Sequence, residues 1–379
     1  MKKKLLFIIT QFYKGGAETS LLNLFRELNS QQYEVDFIIL NQVKYQDVTS
    51  LVEQIPEWIR LIDVIEQTGN RNILEKVVGK IYRRLFHIET YNKLATKIVK
   101  DKEYDVAFSF GEWLSPFFLA QKVRANRKYV WIHIDIDKAD FVNKNELIKY
   151  DTQIDGYLFA SERSMNGALR CCPQMRNKSY VVHNFLNKKE ICQKAHMKLP
   201  KEYQQYKPFI VSVGNLRPEK NYPRQVEVMN ILKERGVSIR WLCVGSTVNQ
   251  AVYEEVTHLI DKYQLREEFI LCGVDDNPYK YMNNAEAVMV LSDHESWSLV
   301  ITEAKLLGIP VIATNTSGAQ EQIVSHQTGI ITGFQPEEIA DAIEKFLADK
   351  KQQDLIKKNL TAYKASEQGL YEFEQLLKG

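Results

Sequence analysis

Short apolar runs rich in β-branched and aromatic residues recur along the chain, separated by stretches with helical spacing of apolar positions. In the first half these runs are "KLLFIIT", "VDFIIL", "DVAFSF", "KYVWIH", "GYLFA" and "SYVVHN". In the second half they are "FIVSV", "IRWLCV", "EFILC", "AVMVL", "VIAT" and "GIIT". Continuous apolar runs, rather than alternating ones, predict strands covered on both faces, as in a parallel sheet with crossover helices. Two separate series predict an α/β chain of two doubly wound, Rossmann-like domains. The stretch "NKKEICQKAHMKLPKEYQQYKP" between them is charged, amide-rich and carries Pro200 and Pro208, which marks a linker. The expected division is a first domain over 1–187, a linker over 188–207, a second domain over 208–362 and a C-terminal helix over 363–379.

A length of 379 residues suits two domains that each bury a core. The formal charge of +2 does not point to a polyanion binder, so nucleic acid is not expected as a partner. The N-terminal apolar run is too short to span a membrane and lacks the cleavage pattern of a signal peptide; it reads as a buried first strand. Five cysteines, an odd number without paired metal spacing, fit a reduced cytoplasmic compartment. No motif supports a protein-bound metal or other cofactor.

In an open parallel sheet the ligand sits beyond the carboxyl ends of the strands, so chemistry is sought just after each apolar run. After the first run comes "TQFYKGGAETSLLNLF", where Gly15 and Gly16 bare the backbone as a helix begins. Such a loop suits a phosphate, or is simply a tight turn. The nicotinamide-type GxGxxG pattern is absent, which argues against a dehydrogenase. The first run of the second half opens into "VGNLRPEKNYP", placing Asn215, Arg217 and Lys220 on a strand-to-helix loop where cations could grip a diphosphate. In "VMVLSDHESWSLVITEAKLLGIPVIAT", Glu295 stands at a strand's carboxyl end and Glu303 lies about one and a half turns into the next helix. The backbone N–H groups of Ser298, Leu299 and Val300 are expected to be unsatisfied donors in the first turn of that helix. One carboxylate could then take sugar hydroxyls and the other ribose hydroxyls, with a diphosphate between them. Gly273 and Val274, after another run, are candidates for the neighbourhood of a base.

Glu295, seven residues, Glu303 and "AKLLGIPVIAT" resemble the signature of family 4 glycosyltransferases. "GGAE", "VGNLRPEKN", "VVHN" and "SGAQEQI" are similar, in the same order, to that family's first glycine loop, basic donor loop, end of the first domain and later Gly-x-x-Glu segment. The resemblance covers most of the chain. It implies the GT-B architecture and retaining transfer of a hexose from a nucleotide-diphosphate sugar, a UDP-sugar favoured, without a metal. The implied acceptor is a glycan or lipid-linked glycan, as in cell-surface polysaccharide biosynthesis. It also implies that His133, in "VWIHIDID", corresponds to an active-site histidine near the transferred sugar, with His133 and Glu295 in catalytic roles. The chain departs from the family pattern where Asn215 replaces an arginine and where Ser296 and Trp297 replace glycine and phenylalanine. A GT-B epimerase and a catalytically silent GT-B subunit are the rival readings. Finally, residues 71–100 combine an apolar stripe (Ile73, Val77, Ile81, Leu85) with an excess of Lys and Arg. That pattern fits either an anionic membrane surface at the inner face of the cell membrane or a helix packed on a sheet with solvated lysines.

Overall fold

The computed structural model describes all residues except 1, 43–48, 65–90, 112–115, 138, 140–141, 248, 364–367 and 379. The described residues form two units, Met1–Phe185 with Gln368–Gly379, and Leu186–Glu367.

The first unit holds a parallel sheet of strands β1 (Lys3–Ile9), β2 (Tyr33–Ile39), β3 (Arg60–Asp63), β4 (Tyr104–Phe110), β5 (Ala125–Ile132), β6 (Gly156–Phe159) and β7 (Ser179–Val181). Their order across the sheet is β3-β2-β1-β4-β5-β6-β7. Both faces are buried. Leu6 and Ile8 enter one core, while Leu5, Phe7 and Ile9 enter the other, which is why the run carries no polar alternation. Strand β3 was not foreseen. It is a four-residue edge strand with only Ile62 fully buried, and its charged end residues Arg60 and Asp63 hide it from a search for apolar runs.

The second unit holds β8 (Phe209–Val213), β9 (Arg240–Val244), β10 (Phe269–Gly273), β11 (Val288–Val290), β12 (Val311–Thr314) and β13 (Ile330–Thr332). These are ordered β10-β9-β8-β11-β12-β13, again parallel. In each sheet the chain starts in the middle, builds outward on one side, then crosses to the other. The reversal falls between β1 and β4 in the first sheet and between β8 and β11 in the second, and such points open a crevice at the strands' carboxyl ends.

The segment 188–207, expected as a linker, instead carries helices Lys188–Ala195 and Lys201–Gln204 and belongs to the second unit. The first of these helices is fastened by side chains that have no apolar signal. The Asn277 amide donates to the Lys194 carbonyl (2.8 Å) and the Asn283 amide to that of Ala195 (3.2 Å). The C-terminal helix, Gln368–Lys378, buries Phe373 and Leu377 in the core of the first unit. Arg127 caps its last turn, donating to the carbonyls of Leu376 and Leu377 (2.8 Å each). Glu372 accepts from the His183 backbone N–H (2.8 Å) and pairs with the His183 ring at 2.9 Å. Burial alone would raise the Glu372 pKa, but these bonds outweigh it and hold the carboxyl below its ordinary value.

Among the described residues, no helix is long and apolar enough to cross a membrane. Residues 71–90 of the basic stretch lie outside the described residues; its end, Tyr91–Val99, is a helix with Ala95 and Val99 in the first unit's core.

Candidate functional site

In the second unit the loops after β8, β9, β10, β11 and β12 are bonded to one another at the carboxyl end of the sheet. Glycine ends β10 and directly follows β8 and β9 there. The Gly214 N–H donates to the Val244 carbonyl and the Gly245 N–H to the Gly273 carbonyl, both at 2.9 Å. A Cβ at Gly245 would stand 1.9 Å from the Gly214 carbonyl oxygen, so no side chain fits between these two strand ends. Gly273 has φ +71° and is followed by Val274, 62% exposed, an apolar surface beside bare backbone. Gly245 carries no motif of its own in the sequence, and only the closeness of the neighbouring strand end marks it.

Asn215 bridges two of these loops, its side-chain oxygen accepting from the Ser246 N–H at 3.0 Å. This amide fastens backbone; it does not substitute for a cation. Arg217 is 59% exposed, and its nearest acidic partner is Glu219 at 3.9 Å. Lys220 is different. It closes the short turn Pro218–Lys220, and its ammonium lies 2.6 Å from the Glu295 carboxylate, with side chains only 27% and 16% exposed. Ser292 Oγ donates to the same Glu295 oxygen at 3.1 Å. The cation and the carboxylate are 75 residues apart in sequence and meet at the point where the strand order reverses, between β8 and β11.

A buried polar frame holds them there. The Lys220 carbonyl accepts from Gln225 (3.0 Å), whose own oxygen accepts from Ser212 (2.7 Å), which in turn accepts from the Trp241 indole (2.9 Å). Asn221 sits at φ +45° and caps the helix Tyr222–Glu234, while its amide reaches Asp293 at 3.0 Å. Arg224, 8% exposed, donates to Asp293 at 2.7 Å and to the Leu291 carbonyl. Asp293 thus ties the β8 loop to the β11 loop. None of Ser212, Asn221, Arg224, Gln225 or Asp293 was singled out from the sequence. The available signal was polar side chains in a first helical turn that, by periodicity, faces the core.

Past Glu295 the helix Leu299–Leu306 begins, with Ser298 as its N-cap. Leu299 and Val300 are its first two residues. The expectation that the Ser298 N–H is an unsatisfied donor does not hold. Gln322 presents its amide to the Ser298 backbone like a strand partner, accepting from the N–H at 3.1 Å and donating to the carbonyl at 2.9 Å. Gln322 also donates to Thr302 at 2.7 Å, and its carbonyl accepts from the buried Lys305 ammonium, which lies 4.0 Å from the Tyr363 ring centre. Burial lowers the Lys305 pKa to about 8. At the other end of the Ser317–Gln322 helix, the Gly318 N–H donates to the Glu295 carbonyl at 2.7 Å, and a Cβ there would meet that oxygen at 2.9 Å. The "SGAQEQI" segment therefore braces Glu295–Ser298 from beneath. Gln322→Leu should strand the Ser298 N–H, while the Ser298 carbonyl keeps the Thr302 N–H and hydroxyl (3.3 and 3.2 Å), and lower stability by about 1–3 kcal/mol, read by thermal or urea melting. An unchanged melt would show that the brace is dispensable.

Glu303 is 7% exposed and accepts from the Tyr279 hydroxyl, on the segment after β10, at 3.0 Å. Burial, first, and the Glu303 charge, second, push the Tyr279 pKa up, so the hydroxyl stays a donor. Trp297 packs with Leu186, Ile191, Leu299 and Tyr279 in a small apolar cluster beside it.

In the first unit, Gly15 and Gly16 follow β1 and start the helix Gly16–Glu27, Gly15 being its N-cap without a side-chain cap. The Glu18 carboxylate folds over Gly15, 2.4 Å from where a Cβ would stand, so a side chain there would have to displace that flexible carboxylate. His133 directly follows β5, its ring 4.4 Å from that of Phe110 and stacked on Trp131 at 5.7 Å. Burial lowers its pKa to about 3, so the imidazole is neutral at physiological pH. It can exchange hydrogen bonds but carries no charge there.

Residues 197–362 match the family model described as glycosyl transferases group 1. The chain is 29% identical over 155 residues to an N-acetylgalactosamine-N,N'-diacetylbacillosaminyl-diphospho-undecaprenol 4-alpha-N-acetylgalactosaminyltransferase of Campylobacter jejuni, covering 41% of this chain and 40% of that one. It is 26% identical over 148 residues to the capsular polysaccharide biosynthesis glycosyltransferase CapM of Staphylococcus aureus, covering 39% and 38%. The chain thus spans about two fifths of the length of these relatives. Among solved structures, a glycosyltransferase from Rickettsia africae superposes with TM-score 0.75 at 18% identity, covering 100% of this chain and 98% of that one. Anabaena HepE, solved with UDP-glucose, gives TM-score 0.73 at 17% identity, covering 99% and 98%. At these identities the likeness establishes the fold, and the fold is GT-B.

Proposed function

We propose that the protein is a retaining glycosyltransferase that moves a hexose from a nucleotide-diphosphate sugar, a UDP-sugar, to a glycan or lipid-linked glycan in cell-surface polysaccharide synthesis. The observation that carries this reading is the meeting of Lys220 and Glu295 at the crevice of the second sheet, at 2.6 Å, next to a helix start. Lys220 and the N–H groups of Leu299 and Val300 would meet the diphosphate and stabilise the charge that builds on it as the glycosidic bond breaks. Glu303, held by Tyr279, would take the ribose hydroxyls, and Glu295 the sugar hydroxyls. Bare backbone at Gly245 and Gly273, beside exposed Val274, suits a base recognised by main-chain groups. No protein-bound metal is needed, because Lys220 and the helix end supply the positive charge.

The matched relatives favour this substrate class. One is named for transfer to a diphospho-undecaprenol-linked sugar and the other for capsular polysaccharide biosynthesis, and the HepE neighbour was solved with UDP-glucose. The test is a thermal-shift screen of UDP-, GDP- and ADP-sugars, followed by release of the nucleotide with an acceptor present. A donor at about a hundredfold its Kd should add roughly 2.7 kcal/mol and raise the melting temperature by about 5–10 °C. UDP-sugars should give the largest shift, and the product anomer, read by NMR, should keep the donor's configuration. No shift with any sugar nucleotide would sink the proposal and favour a silent GT-B subunit.

A further inference from the structure

The Lys220–Glu295 pair has a consequence for which ligand the site prefers, and this inference rests on the donor reading above. The two side chains are not long surface groups meeting by chance. Lys220 sits on a turn whose carbonyl is held by Gln225, the adjacent Asn221 is bonded to Asp293, and the Asp293 N–H donates to the Glu219 carbonyl at 2.8 Å. Both loops are therefore fixed at the positions that bring the charges to 2.6 Å, in surroundings where the side chains are 27% and 16% exposed. Screening by water and salt is weaker there than at a surface pair.

A diphosphate that recruits Lys220 takes this cation from Glu295 and adds negative charge beside the carboxylate. An intact sugar nucleotide offers compensation, since its sugar hydroxyls donate to Glu295 in place of the ammonium. A free nucleotide diphosphate or inorganic pyrophosphate offers none; only the Ser292 hydroxyl remains on that carboxylate among the bonds described. We infer that the Lys220–Glu295 ion pair is a discriminating latch: it opens at low cost for the intact donor and at high cost for the sugar-free diphosphate. The site thereby rejects its own leaving group once the sugar has departed, which limits product inhibition.

The experiment uses the whole chain and inorganic pyrophosphate, which needs no knowledge of the base, with UDP and UDP-glucose alongside. Glu295→Gln keeps the size and removes the charge. It should bind pyrophosphate and UDP about tenfold more tightly than the wild type by calorimetry, while UDP-glucose gains far less, so the preference for sugar nucleotide over UDP shrinks. Glu295→Ala, which also removes the charge, should tighten pyrophosphate to a similar degree and serves if the first variant does not fold. Pyrophosphate binding no tighter in these variants than in the wild type, or no binding to any of the three proteins, overturns the latch. The donor reading fails separately: it falls if Lys220→Ala binds pyrophosphate as well as the wild type does, whatever the Glu295 variants show.

Discussion

Lys220→Ala should lower kcat/KM for the sugar-nucleotide donor by about 10²- to 10³-fold, the usual loss when one preorganised group is taken from a developing anion. The size of the effect follows from geometry. Lys220 is held at the reversal point of the second sheet, on a turn anchored through Gln225, Ser212 and Trp241, and it is only 27% exposed. Once the bound donor has drawn this cation from Glu295 to the diphosphate, no further reorganisation is needed as charge develops there. Arg217 is the matched comparison. It shares the loop and the sign of charge, but at 59% exposure it is screened by water, so Arg217→Ala should change kcat/KM by no more than about threefold. Steady-state kinetics on both variants decide the matter. Comparable losses would mean that Arg217 also grips the donor and that proximity along the loop, rather than burial, sets the role.

The second large effect is expected at Glu303. Hydrogen bonds to a charged group contribute about 1.5–3 kcal/mol, so Glu303→Ala should weaken nucleotide binding by roughly 10- to 100-fold. Because the ribose is common to both ligands, the free nucleotide diphosphate and the sugar nucleotide should lose affinity equally. Glu303 is 7% exposed and its carboxylate is oriented by the Tyr279 hydroxyl at 3.0 Å. Tyr279→Phe should therefore give a smaller loss of the same pattern, without unfolding the apolar cluster of Leu186, Ile191 and Leu299 into which the ring packs. Calorimetry with the two ligands distinguishes the carboxylates. A Glu303 variant impaired only toward the sugar nucleotide would move that residue to the sugar and leave the ribose without an assigned partner.

Much of this protein was legible before any coordinates. Strands covered on both faces carry mostly apolar runs, so twelve of the thirteen strands among the described residues can be read from the sequence; β3, four residues long with charged ends, is the exception. Their parallel order then directs attention to the loops after each run, which is how Lys220, Glu295 and Glu303 could be picked out with no structure at all. The tertiary structure decided which of the picked residues work together. It joined Lys220 to Glu295 across 75 residues, left Arg217 in solvent, and gave the Ser298 N–H to Gln322. It also supplied the frame of Arg224, Gln225, Asp293 and Gln322, whose side chains find partners up to 72 residues away along the chain. The reason is physical. An apolar side chain signals its burial by its own chemistry, whereas a buried polar one is tolerable only because of a specific partner, and that partner is fixed by how loops from different strands converge. Hydrophobic pattern is a local property and is written along the chain. Hydrogen-bond satisfaction is a property of pairs, and the pairs exist only once the sheet has set its strand order.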